Sequence, residues 1–418
     1  MRQRKTIYWQ IIASVFGGGL LFSPFLSDTL AQEKKREKFG SSLKRLKWDK
    51  EKETAVDKES GKVAARSRAN STSDPDVIRI DTSLVTFDLL VTDRQGYAIK
   101  GLTKEDFVIK EDNVLQQTTI VSLGDDVALP RSIVLIIDES QSQTPYLETS
   151  LTAAKALVDQ LRPNDKMAIV TDNVALLQDF TQEKSQLKAV LDKMKKNAFN
   201  PYAAPSLSLQ YSALFSVLQE LLIEAERPII IFQTDGDQLP ILRLNTEKWG
   251  DRIPRPRTNF SLNDIISAAQ REHATVYSVI PGIQMMGFSP TEQVQHIQQV
   301  VADWIKNGTV ISPIWASIVN RRNDRKYLER PAQIMLRYQE ALARLAAATG
   351  GWHDFLERPE QAATIYERIL KDINRRYIIG YYPSNDAQDG TLRKVYFEIR
   401  NHPEYVIVGR RSYYALQR

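Results

Sequence analysis

The sequence contains no cysteine and only 4 histidines among its 418 residues. The absence of cysteine excludes disulfides, thiol catalysis, lipid attachment to an N-terminal cysteine, and metal sites built on thiolates. The histidines are scattered, with no His-Glu-x-x-His pattern, and neither a Gly-x-Ser-x-Gly motif nor a phosphate-binding loop is present. A hydrolase needs a nucleophile beside a positioned base, so we expect no enzymatic activity.

The positive charge is concentrated at the N-terminus. Of the net charge of +5, residues 1–31 carry +2 and residues 32–77 carry +4, which leaves −1 for residues 78–418. Nucleic-acid binding would require a basic stripe on the folded part of the chain. We therefore do not expect nucleic acid as a partner.

Residues 1–31 have the features of a secretory signal peptide. A basic start, Met1–Lys5, precedes a mostly apolar stretch, Ile7–Leu26, and Thr29–Ala31 is a plausible cleavage site. An uncleaved membrane anchor is the alternative, because the apolar stretch approaches membrane-spanning length. We expect an exported protein in the periplasm, at the cell envelope or secreted, with membrane contact only through a retained leader.

Composition divides the remaining chain into four parts. Residues 32–77, rich in Lys, Glu, Ser and Arg, predict a charged flexible linker. Residues 78–125 contain β-favouring stretches between turn signals and predict a small β-rich domain. Residues 130–375 alternate apolar strands with helices, and residues 376–418 predict further strands. We hypothesise that the two β-rich flanks pack together as one sandwich.

The alternation over residues 130–375 predicts an α/β fold with a doubly wound, Rossmann-like sheet of mostly parallel strands. Ser132–Ile137 and Pro228–Phe232 are near-continuous apolar runs, which are typical of strands buried on both faces. Residues 283–335 look like a helical insertion that begins with a capping box at Ser289. The apolar stripe that follows indicates packing rather than a membrane or cofactor surface.

Polar residues directly follow both apolar strands. Asp138, Ser140 and Ser142 form a D-x-S-x-S pattern after the first, and Asp235 lies in a Thr-Asp-Gly turn after the second. Ligands of open α/β sheets bind beyond the carboxyl ends of strands. Hydroxyl and carboxylate oxygens suit hard cations, so we predict a Mg²⁺ site, with Mn²⁺ and Ca²⁺ as alternatives.

This pattern resembles the metal-ion-dependent adhesion site of the von Willebrand factor type A domain. The family's distant Thr corresponds to Ser208 in the motif Ser208–Leu214, with Ser206 as a rival, although Asn200–Pro205 replaces the usual glycines. Glu139 and Asp237 are expected to be solvated loop charges rather than ligands. The resemblance implies these metal ligands: Asp138, Ser140, Ser142, Ser208 and Asp235.

The flanks extend the resemblance to a bacterial exported subfamily described from acidobacteria, through Val91–Asp93, Gly101–Phe107, Tyr377–Pro383 and Arg410–Tyr414. The resemblance implies metal-dependent protein binding or adhesion at the cell envelope. The implied partner is an unknown protein that offers an acidic side chain to the metal. The alternative is an interaction scaffold whose metal site has lapsed, and a hydrolase is a weaker one.

Overall fold

The computed structural model describes residues 33–63, 84–123, 130–197, 208–223, 225–249, 251–308 and 325–415. The predicted leader, residues 1–31, lies outside the described residues, as do Asn200–Pro205 and Ser206. The strands are β1 (Leu46–Asp49), β2 (Thr54–Asp57), β3 (Val85–Thr92), β4 (Phe107–Glu111), β5 (Val114–Gln116), β6 (Thr118–Leu123), β7 (Ser132–Ile137), β8 (Lys166–Thr171), β9 (Ala175–Thr181), β10 (Pro228–Gln233), β11 (Thr275–Pro281), β12 (His353–Leu356), β13 (Tyr377–Tyr381), β14 (Leu392–Ile399), β15 (Val406–Val408) and β16 (Ser412–Tyr414). The α-helices are α1 (Ser41–Arg45), α2 (Thr144–Asp159), α3 (Lys184–Asn197), α4 (Gln210–Ser216), α5 (Leu262–Arg271), α6 (Pro290–Lys306), α7 (Arg325–Ala348) and α8 (Gln361–Arg375).

A six-stranded sheet lies at the centre, in the order β12-β11-β10-β7-β8-β9. All neighbours pair in parallel except β9, which is antiparallel to β8. Every residue of β7 and β10 is buried, as the apolar runs predict. The order runs outward in both directions from β7, which confirms the predicted doubly wound α/β class.

Helices cover both faces of this sheet because alternate side chains of β7 point in opposite directions. Ile133 and Leu135 pack in a core with helices α2, α3, α6 and α8. Val134 and Ile136 pack in a second core with α4, α5 and α7. The sheet is therefore buried between two helical layers of the described residues.

Residues 283–335 supply most of the crossover from β11 to β12, although residues 309–324 lie outside the described ranges. The predicted capping box is present: Ser289 accepts the backbone N–H of Glu292, whose side chain accepts that of Ser289. The apolar stripe of α6 packs into the core, as expected, except that Ile305 is 45% exposed. In the described part of the chain, no helix is long and apolar enough to cross a membrane.

The two β-rich flanks are interleaved. One four-stranded sheet has the order β15-β3-β13-β6 and the other β16-β14-β4-β5, so each sheet takes strands from both flanks. Their inner faces share one core that includes Phe87, Ile109, Tyr377 and Phe397. The flanks therefore pack together as one sandwich, as hypothesised.

Residues 33–63 differ from the expected flexible linker. This stretch contains α1 and the β1-β2 hairpin, and Leu46 and Ala55 are buried in the core beside α4 and α5. The Glu220 carboxylate accepts the backbone N–H groups of Gly40 at 3.0 Å and Ser42 at 2.7 Å. Isolated apolar residues among many charges give no periodic pattern, which is why composition alone indicated a linker.

Candidate metal centre

The carboxyl ends of β7, β8 and β10 lie side by side at one edge of the central sheet. Ile137, the last residue of β7, pairs with the last residue of both neighbouring strands. The residues that follow these three strands are Asp138, Asp172 and Thr234. They meet at the edge where an open parallel sheet binds its ligands, so this edge is the candidate site.

Asp138 lies at the centre of the site and is only 1% exposed. Its Oδ1 accepts the backbone N–H of Ser140 at 2.9 Å. Its Oδ2 accepts the Thr234 hydroxyl at 2.9 Å and the Gln210 side-chain amide at 3.2 Å. Thr234 Oγ1 also accepts the backbone N–H of Gly236, whose φ of +79° favours glycine. These hydrogen bonds hold the carboxylate in one orientation.

Ser140, Ser142 and Asp235 lie next to Asp138. The hydroxyl oxygens of Ser140 and Ser142 are 3.0 Å apart. The Gln143 side-chain amide donates to Ser142 Oγ at 3.0 Å and to Asp235 Oδ2 at 2.9 Å. The structure thus brings four of the five predicted ligands together.

Ser208, the fifth predicted ligand, lies beside a different carboxylate. Its buried hydroxyl donates to Asp172 Oδ2 at 3.0 Å. Asp172 Oδ1 accepts the backbone N–H of Glu139, the residue after Asp138, at 3.0 Å. Ser208 therefore adjoins the site through Asp172 rather than through a direct contact with the other four residues.

Three residues at the site were not predicted from the sequence: Asp172, Gln143 and Gln210. Asp172 directly follows β8, so the rule that ligands bind beyond strand ends could have identified it. The two glutamines carry no comparable signal, because a glutamine in a helix or turn is ordinary on the surface. Only their burial, at 1% and 0% exposed, marks them.

Burial raises the pKa values of the central carboxylates. Burial, and then the charges of Asp235 and Asp172, raise the pKa of Asp138 to about 8. Burial and the charge of Asp237 raise the pKa of Asp235 to about 7. The pKa of Asp172 is also raised by burial. Carboxylates that are desolvated and close to one another favour either a proton or a cation.

Glu139 and Asp237 interact with the other carboxylates of the site, unlike the solvated loop charges that the sequence predicts. Asp237 is exposed, but its Oδ1 accepts the Gln210 amide at 2.6 Å. Partial desolvation and the charge of Asp138 raise the pKa of Asp237 to about 6. Glu139 is half-buried, and burial together with Asp172 raises its pKa to about 7. Both side chains add to the negative potential of the site.

The donor set fits a hard divalent cation. In the described ranges, no Lys or Arg forms an ion pair with Asp138, Asp172 or Asp235. No group of three or more His, Asp or Glu side chains in those ranges is arranged to hold a metal by itself. A cation would therefore also need the serine hydroxyls, and such oxygen-only ligand sets suit Mg²⁺, Mn²⁺ or Ca²⁺.

No protein-family model matches the chain, and no curated protein matches it. Solved structures give low-scoring likenesses. The conserved protein BatB from Bacteroides thetaiotaomicron is 13% identical, with 58% of this chain and 98% of that chain covered and a TM-score of 0.33. The von Willebrand factor domain of a type V pilus tip protein from Porphyromonas gingivalis is 11% identical, with 59% and 96% covered and a TM-score of 0.32.

The manganese-loaded TRAP protein from Plasmodium vivax is 12% identical, with 73% of this chain and 98% of that chain covered and a TM-score of 0.31. Likenesses with identities and TM-scores this low carry no argument about function. The class of fold rests on the strand order and pairing of the central sheet. Membership in the bacterial exported subfamily stays a prediction.

Proposed function

We propose that this chain is an exported, non-catalytic protein that binds a protein partner through a divalent cation at the carboxyl edge of β7. The proposed cation is Mg²⁺, with Mn²⁺ and Ca²⁺ as alternatives. It would supply a positive charge that accepts a carboxylate oxygen from the partner. The residues that would hold it are Asp138, Ser140, Ser142, Ser208 and Asp235.

The observation that carries the proposal is the convergence of two serine hydroxyls with the buried Asp138 and the partly buried Asp235, neither of which forms an ion pair with a Lys or Arg of the described residues. Ser140 and Ser142 offer neutral oxygens 3.0 Å apart. Asp138 is fixed by three hydrogen bonds, so its orientation does not depend on the cation. Few direct carboxylate ligands leave a cation electron-poor, which favours a further acidic ligand from a partner.

A non-catalytic role is supported by the chemistry of the site. Its side chains are carboxylates, hydroxyls and carboxamides. Three of the four histidines bond elsewhere, namely His296 to Glu357, His402 to Glu404 and His273 to Arg410, and the fourth, His353, lies in the edge strand β12. In the described part of the chain, no histidine hydrogen-bonds to the Ser140 or Ser142 hydroxyl, so the site lacks the histidine-activated serine of many hydrolases.

The test is calorimetric titration of Mg²⁺ into the full chain and two matched variants. Ser142→Ala removes a proposed ligand. Ser150→Ala removes a buried hydroxyl from α2 that hydrogen-bonds to none of the proposed ligands in the described part of the chain. We expect Ser142→Ala to weaken Mg²⁺ binding at least tenfold and Ser150→Ala to leave it unchanged. Equal affinities in all three proteins would refute the proposed ligand set.

The partner chemistry is tested with short peptides that carry a central Glu or, as a control, a central Gln. Some Glu peptides should bind in Mg²⁺ and lose binding in EDTA, while their Gln counterparts should not bind. A scaffold with a lapsed metal site is the second candidate, favoured by the hydrogen bond from Ser208 to Asp172. Peptide binding that is equal in Mg²⁺ and EDTA would support that scaffold.

A further inference from the structure

Two buried glutamine side chains lie among the carboxylates of the site. The Nε2 atom of Gln210, the first residue of α4, donates to Asp138 Oδ2 at 3.2 Å and to Asp237 Oδ1 at 2.6 Å. The Nε2 atom of Gln143 donates to Asp235 Oδ2 at 2.9 Å and to Ser142 Oγ at 3.0 Å. Each carboxamide thus directs its whole donor capacity at the site.

The opposite end of each carboxamide has no hydrogen-bond partner among the described residues. In the described part of the chain, Oε1 of Gln143 and Oε1 of Gln210 are buried and accept no hydrogen bond. A buried acceptor without a donor is unfavourable. The hydrogen bonds from the amide nitrogens to the carboxylates must therefore offset the cost of the unpaired oxygen. In the opposite orientation of the carboxamide, its oxygen would face the negatively charged carboxylates, which is less favourable.

We propose that Gln210 and Gln143 are internal cation substitutes: when no divalent cation is bound, the amide nitrogen of Gln210 holds Asp138 to Asp237, and that of Gln143 holds Asp235 to Ser142. The proposal rests on the cation site proposed above. Hydrogen bonds donated to ionised carboxylates are stronger than those between neutral groups. When both carboxylates are ionised, a Gln210 bridge between Asp138 and Asp237 therefore offsets part of the repulsion between them.

A cation substitute affects the affinity for Mg²⁺ differently from a ligand or a residue that only packs. A bound cation neutralises the carboxylates itself, so the carboxamides stabilise the cation-bound form less than the cation-free form. A group that favours the free form weakens binding, because binding depends on the difference between the two forms. Removal of a carboxamide should therefore tighten Mg²⁺ binding while it lowers stability without Mg²⁺.

The test compares Gln210→Met with Gln233→Met in the full chain. Methionine is similar in length to glutamine and removes only the polar groups. Gln233 is a matched control: it is fully buried in β10, its side chain bonds to Tyr366 at 2.8 Å, and it contacts no site carboxylate through that side chain. Gln143→Met is a second test variant, in case Gln210→Met does not fold.

We expect Gln210→Met to bind Mg²⁺ about tenfold more tightly than the wild type in calorimetry, which corresponds to about 1.4 kcal/mol. Its melting temperature in EDTA should fall, and Mg²⁺ should raise it by more than in the wild type. Gln233→Met should melt earlier in both conditions with unchanged Mg²⁺ affinity. Weaker Mg²⁺ binding by Gln210→Met would overturn the proposal and indicate that the carboxamide positions the bound cation instead.

Failure of the cation site itself would give a different pattern. If the wild type binds no Mg²⁺, the proposed function is refuted, and stability in EDTA alone then decides the role of the carboxamide. A larger loss in Gln210→Met than in Gln233→Met would support its bridging of the carboxylates. An equal or smaller loss would overturn it.

Discussion

A buried ion pair clamps the amino ends of β7 and β8, and its disruption should cause a large loss of stability. The side chains of Arg131 and Asp165 are each only 1% exposed. The guanidinium donates to both carboxylate oxygens, from Nε at 2.9 Å and from Nη2. Its Nη1 also donates to Asn374 of α8 at 2.6 Å, which ties that helix to the clamp.

The expected magnitude follows from the burial. Arg131→Met would leave the Asp165 carboxylate buried without its guanidinium partner, and loss of one partner of such a pair costs about 3–5 kcal/mol. The double variant Arg131→Met/Asp165→Leu removes both charges and should recover a large part of that loss. The partly exposed pair Lys155–Asp192 is the control, since pairs of this kind contribute about 0–1 kcal/mol.

The assay is urea unfolding of the single and double variants at pH 7, combined in a double-mutant cycle. A loss below about 1 kcal/mol for Arg131→Met, similar to that expected for a surface pair, would refute the argument from burial. The argument would also be refuted if the losses of free energy in the two single variants simply added in the double variant. Mg²⁺ affinity of the folded protein should not change, because the clamp lies at the end of β7 opposite Asp138.

The same pair sets the response to acid. Burial opposes ionisation of Asp165, but the hydrogen bonds and charge of Arg131 outweigh it and hold the pKa of Asp165 below its ordinary value. A group with a lowered folded-state pKa contributes stability above its unfolded pKa, near 4, and loses that contribution as pH falls through the folded pKa. The stability advantage of the wild type over Asp165→Asn should therefore shrink below about pH 4.

Three further predictions concern other parts of the molecule. Glu220→Ala removes the acceptor of the backbone N–H groups of residues 40 and 42, so trypsin should cleave residues 33–63 faster; an unchanged rate would contradict their docking. Gly351→Ala would place a Cβ 2.0 Å from the carbonyl oxygen of Val276 in β11, so we expect a loss of about 1–3 kcal/mol or more, seen as a lower melting temperature. In EDTA, the free energy of unfolding should rise as pH falls from about 8 toward 5, because the raised pKa values of Asp138 and Asp235 make their ionised forms unfavourable in the folded state. Saturating Mg²⁺ should flatten this pH dependence. A flat profile in EDTA would contradict the argument that these carboxylates are desolvated.

Much of the fold was predictable from local sequence. The apolar runs that became β7 and β10 are long enough to indicate strands buried on both faces, and alternation with helices predicts parallel pairing. The Ser289 capping box correctly marked the start of α6. The edge strands β9 and β12 were not predicted, because their side chains are only partly buried and show no continuous apolar run.

The docking of residues 33–63 was not predictable from composition. Eleven Lys or Arg residues in this stretch give it the average character of a linker. Its attachment depends on buried apolar side chains, Leu46 and Ala55 among them, and on hydrogen bonds to Glu220 and Asp264, which are distant in sequence. Interactions of this kind leave no periodic trace in the segment itself.

The sequence by itself determined the strand ends that carry Asp138, Ser140, Ser142 and Asp235, because a D-x-S-x-S pattern after a buried strand is a local feature. Only the tertiary structure decided that Ser208 bonds to Asp172 and that two buried carboxamides donate to the carboxylates. The physical reason is that strand pairing and the placement of α4 bring together residues up to 99 positions apart, from 138 to 237. Which donor reaches which carboxylate is therefore set by packing between elements and not by the order of residues along the chain.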